Sequence, residues 1–199
     1  MNGIVTGISG DDTRLEEGRL VARILAGEPD LYGILVERYQ RRLFRACRRM
    51  LGDADEADDV VQESFVRAWD HLDGFDPSYR FYTWLYTIAR NRALNVLRGR
   101  KVRGAVSLSD EAAPQLVAPA ADRASAGVED AELGAALAAC RETLPEDQRE
   151  TFDLRHADGL SYAEIARATG APEGTVMSRL HRAREKMRDC LRSKGVTWP

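Results

Sequence analysis

The stretch from Leu160 to Met187 constrains the fold of this chain more than any other. Ser161, followed three residues later by Glu164, has the spacing of a capping box, which predicts the start of a short helix. Gly170 and Pro172 then end that helix and turn the chain. A second helix is predicted to follow, because apolar residues recur at helical spacing: Val176, Leu180 and Ala183. Two helices joined by a tight glycine-containing turn are typical of a helix-turn-helix motif.

The open faces of the second helix carry polar and basic side chains. Between Arg179 and Lys194 the sequence has seven Lys or Arg residues and two acidic residues, in a chain whose formal net charge is −3. A locally basic helix in a mildly acidic protein favours contact with the phosphates of DNA. The alternative is an ordinary helical hairpin with solvated arginines. The motif alone does not distinguish a repressor from an activator or an initiation factor.

The remaining composition argues against several classes of protein. No apolar run approaches the roughly 18 residues of a membrane span, and Met1–Asp12 lacks the features of a signal peptide. The cysteines stand far apart, which predicts three partly buried thiols in a reducing cytoplasm rather than a disulfide framework: Cys47, Cys140 and Cys190. The histidines are scattered, so no metal site and no cofactor is predicted: His71, His156 and His181.

Charge is segregated along the N-terminal half of the chain. Residues 53–76 hold nine acidic residues and one arginine, whereas residues 80–103 hold seven basic residues and no acidic one. Adjacent blocks of opposite sign indicate two different partners, one basic and one anionic.

Apolar periodicity predicts an all-α fold, with no alternation long enough for a sheet. The first helices are predicted over residues 14–26 and, after a cap at Asp30, over residues 31–51. The acidic helix that follows is expected to be capped by Asp53 or Asp55. Its predicted buried stripe is Val60, Val61, Phe65, Ala68, Trp69 and Leu72, and its predicted outward residues are Asp59, Gln62, Glu63 and Arg67.

The basic block coincides with a further helix, which follows a loop at residues 73–80. Its core face is predicted to be Phe81, Trp84, Leu85 and Ile88. Off that face lie Tyr82 and Tyr86, beside the polar residues Arg90, Asn91 and Asn95. Aromatic, arginine and asparagine side chains on an exposed helix suit stacking on unpaired bases and contact with phosphates. If this stretch is considered alone, a solvated helix with amphipathic tyrosines explains it equally well.

Composition also divides the chain into domains. Residues 104–128 are rich in Ala, Ser and Pro and lack a helical period, which predicts a flexible linker between two small helical domains. The domains are predicted at residues 14–103 and 129–199, and residues 1–13 are predicted to be a disordered tail.

Three motifs resemble, in the same order, those of bacterial sigma factors of the sigma-70 family. Residues 59–69, DVVQESFVRAW, resemble the helix that binds core RNA polymerase. Residues 81–91, with the pattern F-x-T-W-L-x-x-I-A-R-N, resemble the promoter-melting segment of the extracytoplasmic-function group. Residues 144–191 resemble the −35-reading domain of that group and include GTVxSRLxRAR at residues 174–184.

The resemblance implies an initiation subunit that binds core polymerase, recognises −35 and −10 elements and opens DNA. It would initiate transcription of a specific regulon, such as the genes of a stress response. The acidic helix would dock on the clamp of the largest subunit through Asp59, Gln62 and Glu63, with the polymerase flap as a further contact. The loop at residues 73–80 would capture a flipped −10 base. The residues implied in −10 recognition and melting are Phe75, Asp76, Ser78, Arg80, Tyr82, Tyr86, Arg90, Asn91, Arg92 and Asn95.

The second helix of the helix-turn-helix would lie in the −35 major groove. The −35 contacts implied by motif position are Thr175, Met177, Ser178, Arg179, His181, Arg182, Lys186 and Arg188. Met177 departs from the family, because relatives often carry a basic residue there and a thioether cannot make the bidentate guanine contact of arginine. The resemblance also implies an anti-sigma factor as a partner and no membrane insertion of this chain.

Two other classes of protein remain as alternatives. A stand-alone helix-turn-helix repressor or activator shares the C-terminal motif, but it needs neither an acidic docking helix nor a strand-holding one. An enzyme is disfavoured, because the carboxylates crowd one helix without a neighbouring histidine, cysteine or glycine-rich phosphate loop.

Overall fold

A computed structural model describes residues 10–106 and 128–196 of the chain. Within these ranges the chain is all-α, as predicted, and has no strand. Its helices are α1 Gly10–Leu25, α2 Tyr32–Leu51, α3 Ala54–Asp70, α4 Phe81–Val106, α5 Val128–Glu142, α6 Glu146–His156, α7 Tyr162–Thr169 and α8 Glu173–Ser193. The chain divides into two compact units, residues 1–114 and 115–199, with the division inside the predicted linker. The predicted flexibility of the linker concerns residues that lie mostly outside the described ranges.

The observed ends of the first two helices differ from the predicted ones. Because α1 begins at Gly10, the disordered tail predicted for residues 1–13 is wrong for residues 10–13; residues 1–9 lie outside the described ranges. Asp30 does not cap α2 with its side chain. It lies instead in a 3-10 turn, Pro29–Leu31, where proline sets the backbone before α2 starts at Tyr32.

The N-terminal unit is built around α2, α3 and α4, which pack against one another. Leu35, Leu43 and Cys47 of α2 are fully buried between the other helices. Gly52 ends α2 at a φ of 74°, a left-handed conformation that glycine adopts without steric cost. Asp53 then caps α3, as predicted, because its side chain accepts a hydrogen bond of 3.0 Å from the Glu56 N–H.

Trp69 does not belong to the buried stripe that the sequence predicted for α3. Its side chain is 42% exposed, and its ring makes an edge contact with Tyr32 at 5.0 Å between centroids. The hydroxyl of Tyr32 donates a hydrogen bond of 2.7 Å to the carbonyl of Phe65. The last turn of α3 therefore packs on the start of α2 and leaves part of the indole open to solvent.

The C-terminal unit is organised by α8, against which α5, α6 and α7 all pack. One cluster of the buried core, where α5, α6 and α8 meet, consists of Cys140, Leu144, Phe152, Ala183, Met187 and Leu191. The predicted capping box is confirmed at the start of α7, where Ser161 and Glu164 bond to each other's backbone N–H. Gly170, with a φ of 73°, ends α7 and turns the chain into α8, which completes the predicted helix-turn-helix.

The prediction of three free thiols is wrong for two of the cysteines. Cys140, at the end of α5, and Cys190, near the end of α8, form a disulfide with Cα atoms 5.7 Å apart. Their separation of 50 residues concealed this pairing, which arises because α5 packs along α8. Cys47 is a free, buried thiol, and burial raises its pKa to about 12.

Candidate nucleic-acid and partner interfaces

The exposed face of α3 is acidic at its start and apolar towards its end. Asp58, Asp59 and Gln62 all face solvent, and the Gln62 amide donates a hydrogen bond of 2.7 Å to Asp58. One helical turn further on, Val66 is 59% exposed and continues the same stripe. Of the residues predicted to contact a basic partner, Asp59 and Gln62 therefore lie where a partner could reach them.

Glu63 occupies a different environment, between α3 and α4. Its carboxylate accepts two hydrogen bonds from Arg67, at 2.8 and 3.0 Å, and a further one from Arg92 of α4. Partial burial on its own would raise the pKa of Glu63, but the hydrogen bonds from the two arginines hold that pKa below its ordinary value. Glu63 and Arg92, which the sequence assigned to two different partners, thus bind each other in the free chain.

The loop at residues 73–80 has one buried residue, Phe75, and an open centre at Pro77 and Ser78. Phe75 is only 8% exposed, and its ring centroid lies 5.6 Å from those of both Phe81 and Trp84. Phe75 is therefore a core residue and is not open to a base, contrary to its predicted role. Asp76 accepts hydrogen bonds from the N–H and hydroxyl of Ser78, at 2.9 and 2.6 Å, and thereby shapes the exposed turn.

Tyr82 and Tyr86 are also misplaced by the sequence prediction, since both are almost completely buried. The ring of Tyr82 lies 5.6 Å from that of Tyr39 and 3.5 Å below the Arg42 guanidinium, while the hydroxyl of Tyr86 approaches the Met50 sulfur at 3.7 Å. The physical reason is that α4 packs against both α2 and α3, so two of its faces are internal. Neither tyrosine can stack on a base without repacking this core.

The open side of α4 is a polar strip that follows the buried tyrosines. Asn91, Asn95 and Arg98 are exposed at helical spacing, and the Asn95 side chain accepts a hydrogen bond of 2.7 Å from Arg98. Arg80 and Arg90 are half-buried near the start and middle of the helix. Arg98 was not among the predicted contact residues, although its spacing of seven from Asn91 was a signal that could have identified it.

The recognition helix α8 separates its buried and open faces clearly. Its core face is Val176, Leu180, Ala183, Met187 and Leu191. Most of the predicted contact residues point outward: Met177, Ser178, His181, Arg182, Lys186 and Arg188. Met177 is 54% exposed, and Ser178 donates a hydrogen bond of 2.9 Å to the carbonyl of Thr175, which is half-buried.

Arg179, a predicted −35 contact, is partly buried against α6. Its Nε lies 3.0 Å from a carboxylate oxygen of Asp147 in α6, as an ion pair that lacks the alignment of a hydrogen bond. The side chain is 26% exposed, whereas that of His181, 3.4 Å from Glu185, is 75% exposed. Arg179 would have to leave Asp147 before it could contact DNA with its Nε.

Within residues 10–106 and 128–196, no helix is long and apolar enough to cross a membrane. The same ranges contain no group of three or more His, Cys, Asp or Glu side chains that could hold a metal ion.

These two helical units match known protein families. Residues 35–103 match sigma-70 region 2, and residues 135–187 match sigma-70 region 4. The chain is 37% identical over 188 residues to the RNA polymerase sigma-H factor of Pseudomonas aeruginosa, which covers 90% of this chain and 95% of that one. It is 34% identical over 180 residues to the extracytoplasmic-function sigma factor SigW of Bacillus subtilis, with 86% and 95% covered.

A solved structure is also similar to this chain. It is the sigma factor RpoE of Bartonella quintana in complex with the anti-sigma factor NepR, with a TM-score of 0.66, 27% identity, and coverage of 81% of this chain and 96% of that one. The chain belongs to the sigma-70 family of RNA polymerase sigma factors and, within it, to the extracytoplasmic-function group. It functions as a sigma factor and not as a stand-alone helix-turn-helix regulator.

Proposed function

We propose that the protein docks on core RNA polymerase through the open face of α3, holds the −10 strand with the loop at residues 73–80 and α4, and reads the −35 element with α8. The observation that carries this proposal is the presence of three separate surfaces of matching chemistry. The N-terminal unit presents an acidic and polar face on α3 and a polar, partly basic strip on α4. The C-terminal unit presents the basic open side of a helix-turn-helix.

The docking surface that we propose consists of Asp58, Asp59, Gln62 and Val66. Its carboxylates suit a basic partner surface such as that of the polymerase clamp. Val66, at its apolar end, supplies apolar surface that an interface could bury. Exposed charges of this kind mainly set the rate and the orientation of association. Glu63 has a supporting role, since its ion pair with Arg92 joins α3 to α4, while its pair with Arg67 lies within α3.

The proposed −10 surface combines the turn at Ser78 with the strip of Asn91, Asn95 and Arg98. Amide and guanidinium groups hydrogen-bond to base edges and phosphates, which a separated strand exposes. Capture of one flipped base opens DNA without a covalent step, because contacts to the extruded base offset the few kcal/mol of unstacking. Phe75, Tyr82 and Tyr86 contribute by forming the core beneath this surface.

The proposed −35 surface is the outer side of α8. Arg182, Lys186 and Arg188 are exposed and supply phosphate or base contacts, while Met177 and Ser178 lie towards the N-terminal end of the helix, which enters the major groove in this motif. Because Met177 has no hydrogen-bond donor, it favours apolar contact such as that with a thymine methyl group.

We further propose that this sigma factor acts in the cytoplasm and is held inactive by an anti-sigma factor. The proposal rests on family membership and on the Bartonella quintana neighbour, which was solved together with the anti-sigma factor NepR. In vitro, the purified chain is expected to give promoter-specific run-off transcription when it is added to core polymerase over a genomic library. Specific duplex binding with no effect on core polymerase would contradict the proposal.

The docking surface is tested separately with Asp59→Lys and Gln62→Lys. Each change places a positive charge against a basic partner, and we expect core affinity to fall about tenfold or more, since like-charge contacts across an interface cost several kcal/mol. Neither side chain makes a cross-helix ion pair, so the unfolding midpoint should not change. Glu37→Lys, at an exposed site on α2, is the matched control. Wild-type affinity in both α3 variants would show that α3 does not dock on core polymerase.

A further inference from the structure

Helix α1 packs against the loop at residues 73–80 through Arg14 and Gly18. Three residues at helical spacing on one face of α1 make the contacts: Arg14 and Gly18 meet the loop itself, and Glu17 meets Phe81, the residue that directly follows the loop. All three lie before residue 35, where the match to sigma-70 region 2 begins.

The central contact is a buried carboxylate. Glu17 is completely buried, and one of its oxygens accepts a hydrogen bond of 2.8 Å from the N–H of Phe81, the first residue of α4. The other oxygen accepts a hydrogen bond from the hydroxyl of Tyr39 and lies 4.0 Å from Arg38. A negative charge at the start of α4 is favourable, because helix N-termini carry unpaired N–H groups and a partial positive charge. Glu17 thus fixes the point where the loop ends.

The other two contacts fix the middle of the loop. A guanidinium nitrogen of Arg14 donates a hydrogen bond of 3.2 Å to the carbonyl of Ser78. A Cβ built on Gly18 would lie 3.1 Å from the Cβ of Pro77, closer than ordinary van der Waals contact, so a larger residue at this position would push the loop outward. The exposed turn of the loop therefore lies directly against α1 at two consecutive residues, Pro77 by close packing and Ser78 by a hydrogen bond.

We propose that this face of α1, formed by Arg14, Glu17 and Gly18, positions the loop at residues 73–80 for capture of the −10 base, with Glu17 as the principal positioning residue. The inference rests on the proposed −10 function of the loop. None of the three side chains needs to touch DNA. Their effect is on shape, because a pocket discriminates between bases only while its walls keep one geometry.

Three variants test the proposal: Arg14→Ala, Glu17→Gln and Gly18→Val. Glu17→Gln keeps the size of the side chain but removes its charge and one acceptor. Gly18→Val adds the bulk that meets Pro77. Arg19→Ala, at an exposed site on α1, and Gly33→Val, where a Cβ meets nothing within 4 Å, are the matched controls.

The readouts are core affinity, the rate of promoter opening, and selectivity among single-stranded oligonucleotides that carry base changes in the −10 sequence. Opening is followed by the fluorescence of 2-aminopurine at the −10 element. We expect all three variants to keep wild-type core affinity and to lose opening rate and selectivity. For Glu17→Gln the expected loss is about tenfold, the effect of weakening one buried hydrogen bond. For Gly18→Val it is about tenfold, because a tight contact is overpacked, and for Arg14→Ala, whose hydrogen bond is exposed, it is about threefold. The two controls should behave as the wild type does.

Several results would overturn the proposal. One is wild-type opening and selectivity in folded Arg14→Ala and Gly18→Val. Another is a parallel loss of core affinity and opening, which would indicate general destabilisation. A separate measurement, amide hydrogen exchange of residues 75–80 in the free protein, should show faster exchange in the three variants and not in the controls. If exchange changes as expected while the wild-type chain neither opens promoters nor selects −10 sequences, the −10 function fails and the anchoring by α1 stands.

Discussion

Reduction of the disulfide between Cys140 and Cys190 should strongly destabilise the C-terminal unit. In the chain-entropy description, a crosslink stabilises a protein by restricting the unfolded chain, and the effect grows with the length of the closed loop. For a separation of 50 residues this gives about 4 kcal/mol at 25 °C. A helical unit of roughly 70 residues has a total free energy of unfolding of about 3–10 kcal/mol, so the loss would be a large share of it.

The assay is hydrogen exchange of α8 peptides in the full-length protein, before and after treatment with a reductant. Slow exchange in the core of α8 reports the opening free energy of the C-terminal unit alone, whereas α2 and α3 report the N-terminal unit as an internal control. We expect the opening free energy of α8 to fall by about 4 kcal/mol and the melting temperature of the unit to fall by about 15 °C or more. The N-terminal unit should not respond, because Cys47 forms no disulfide.

A count of thiols must accompany the exchange experiment. The oxidised chain, once unfolded, should react with a thiol reagent at one cysteine, and the reduced chain at three. A double variant, Cys140→Ala with Cys190→Ala, should reproduce the reduced stability and be insensitive to reductant. A change in the opening free energy of α8 of less than about 1 kcal/mol, in a chain shown to be oxidised, would refute the loop-entropy reasoning.

Two smaller predictions concern the helix-turn-helix. Ser161→Ala removes half of the capping box of α7 and should lower the stability of the C-terminal unit by about 1 kcal/mol in urea unfolding, with Ser193→Ala, on the last turn of α8, as the control. An unchanged midpoint would show that the cap is not formed in solution. Met177→Arg should shift the −35 preference towards guanine by about 1–3 kcal/mol, measured by competition among duplex variants. The control, Met177→Leu, should leave that preference unchanged. Identical base preferences in the wild type and Met177→Arg would show that residue 177 does not contact a base.

The features that the sequence predicted correctly are local ones. The capping box of Ser161 and Glu164 and the cap at Asp53 each join residues three apart, so the pattern contains both partners. The helical period likewise identified most of the buried faces, because a helix repeats within its own length. The prediction for the core face of α8 depended on that period alone.

The features that the sequence did not predict depend on distant partners. Glu17 lies 64 residues from Phe81, and Cys140 lies 50 residues from Cys190, so no local pattern joins them. Tyr82 was misplaced for a related reason. Periodicity identifies one apolar face of a helix, but α4 is covered on two sides, and the second side is lined with tyrosine, which is compatible with either burial or exposure.

The charge blocks of the N-terminal half show how folding changes the meaning of a sequence pattern. Read along the chain, an acidic block followed by a basic block indicated two partners of opposite charge. In the fold, α3 and α4 pack together, and two ion pairs connect them, Glu63 with Arg92 and Glu56 with Arg100. Part of each block is therefore neutralised by the other.

The surfaces left for partners are consequently smaller and more specific than the blocks. On α3 they comprise Asp58, Asp59 and Gln62, and on α4 Asn91, Asn95 and Arg98. The ion pairs also determine which substitutions can locate the docking surface on α3. A Glu63→Lys substitution would place a cation against both Arg67 and Arg92 and disturb the packing of α3 on α4, so a loss of core binding in that variant would not locate the docking surface. Asp59→Lys and Gln62→Lys change only side chains that face outward, and their effect on core affinity can therefore be assigned to the contact itself.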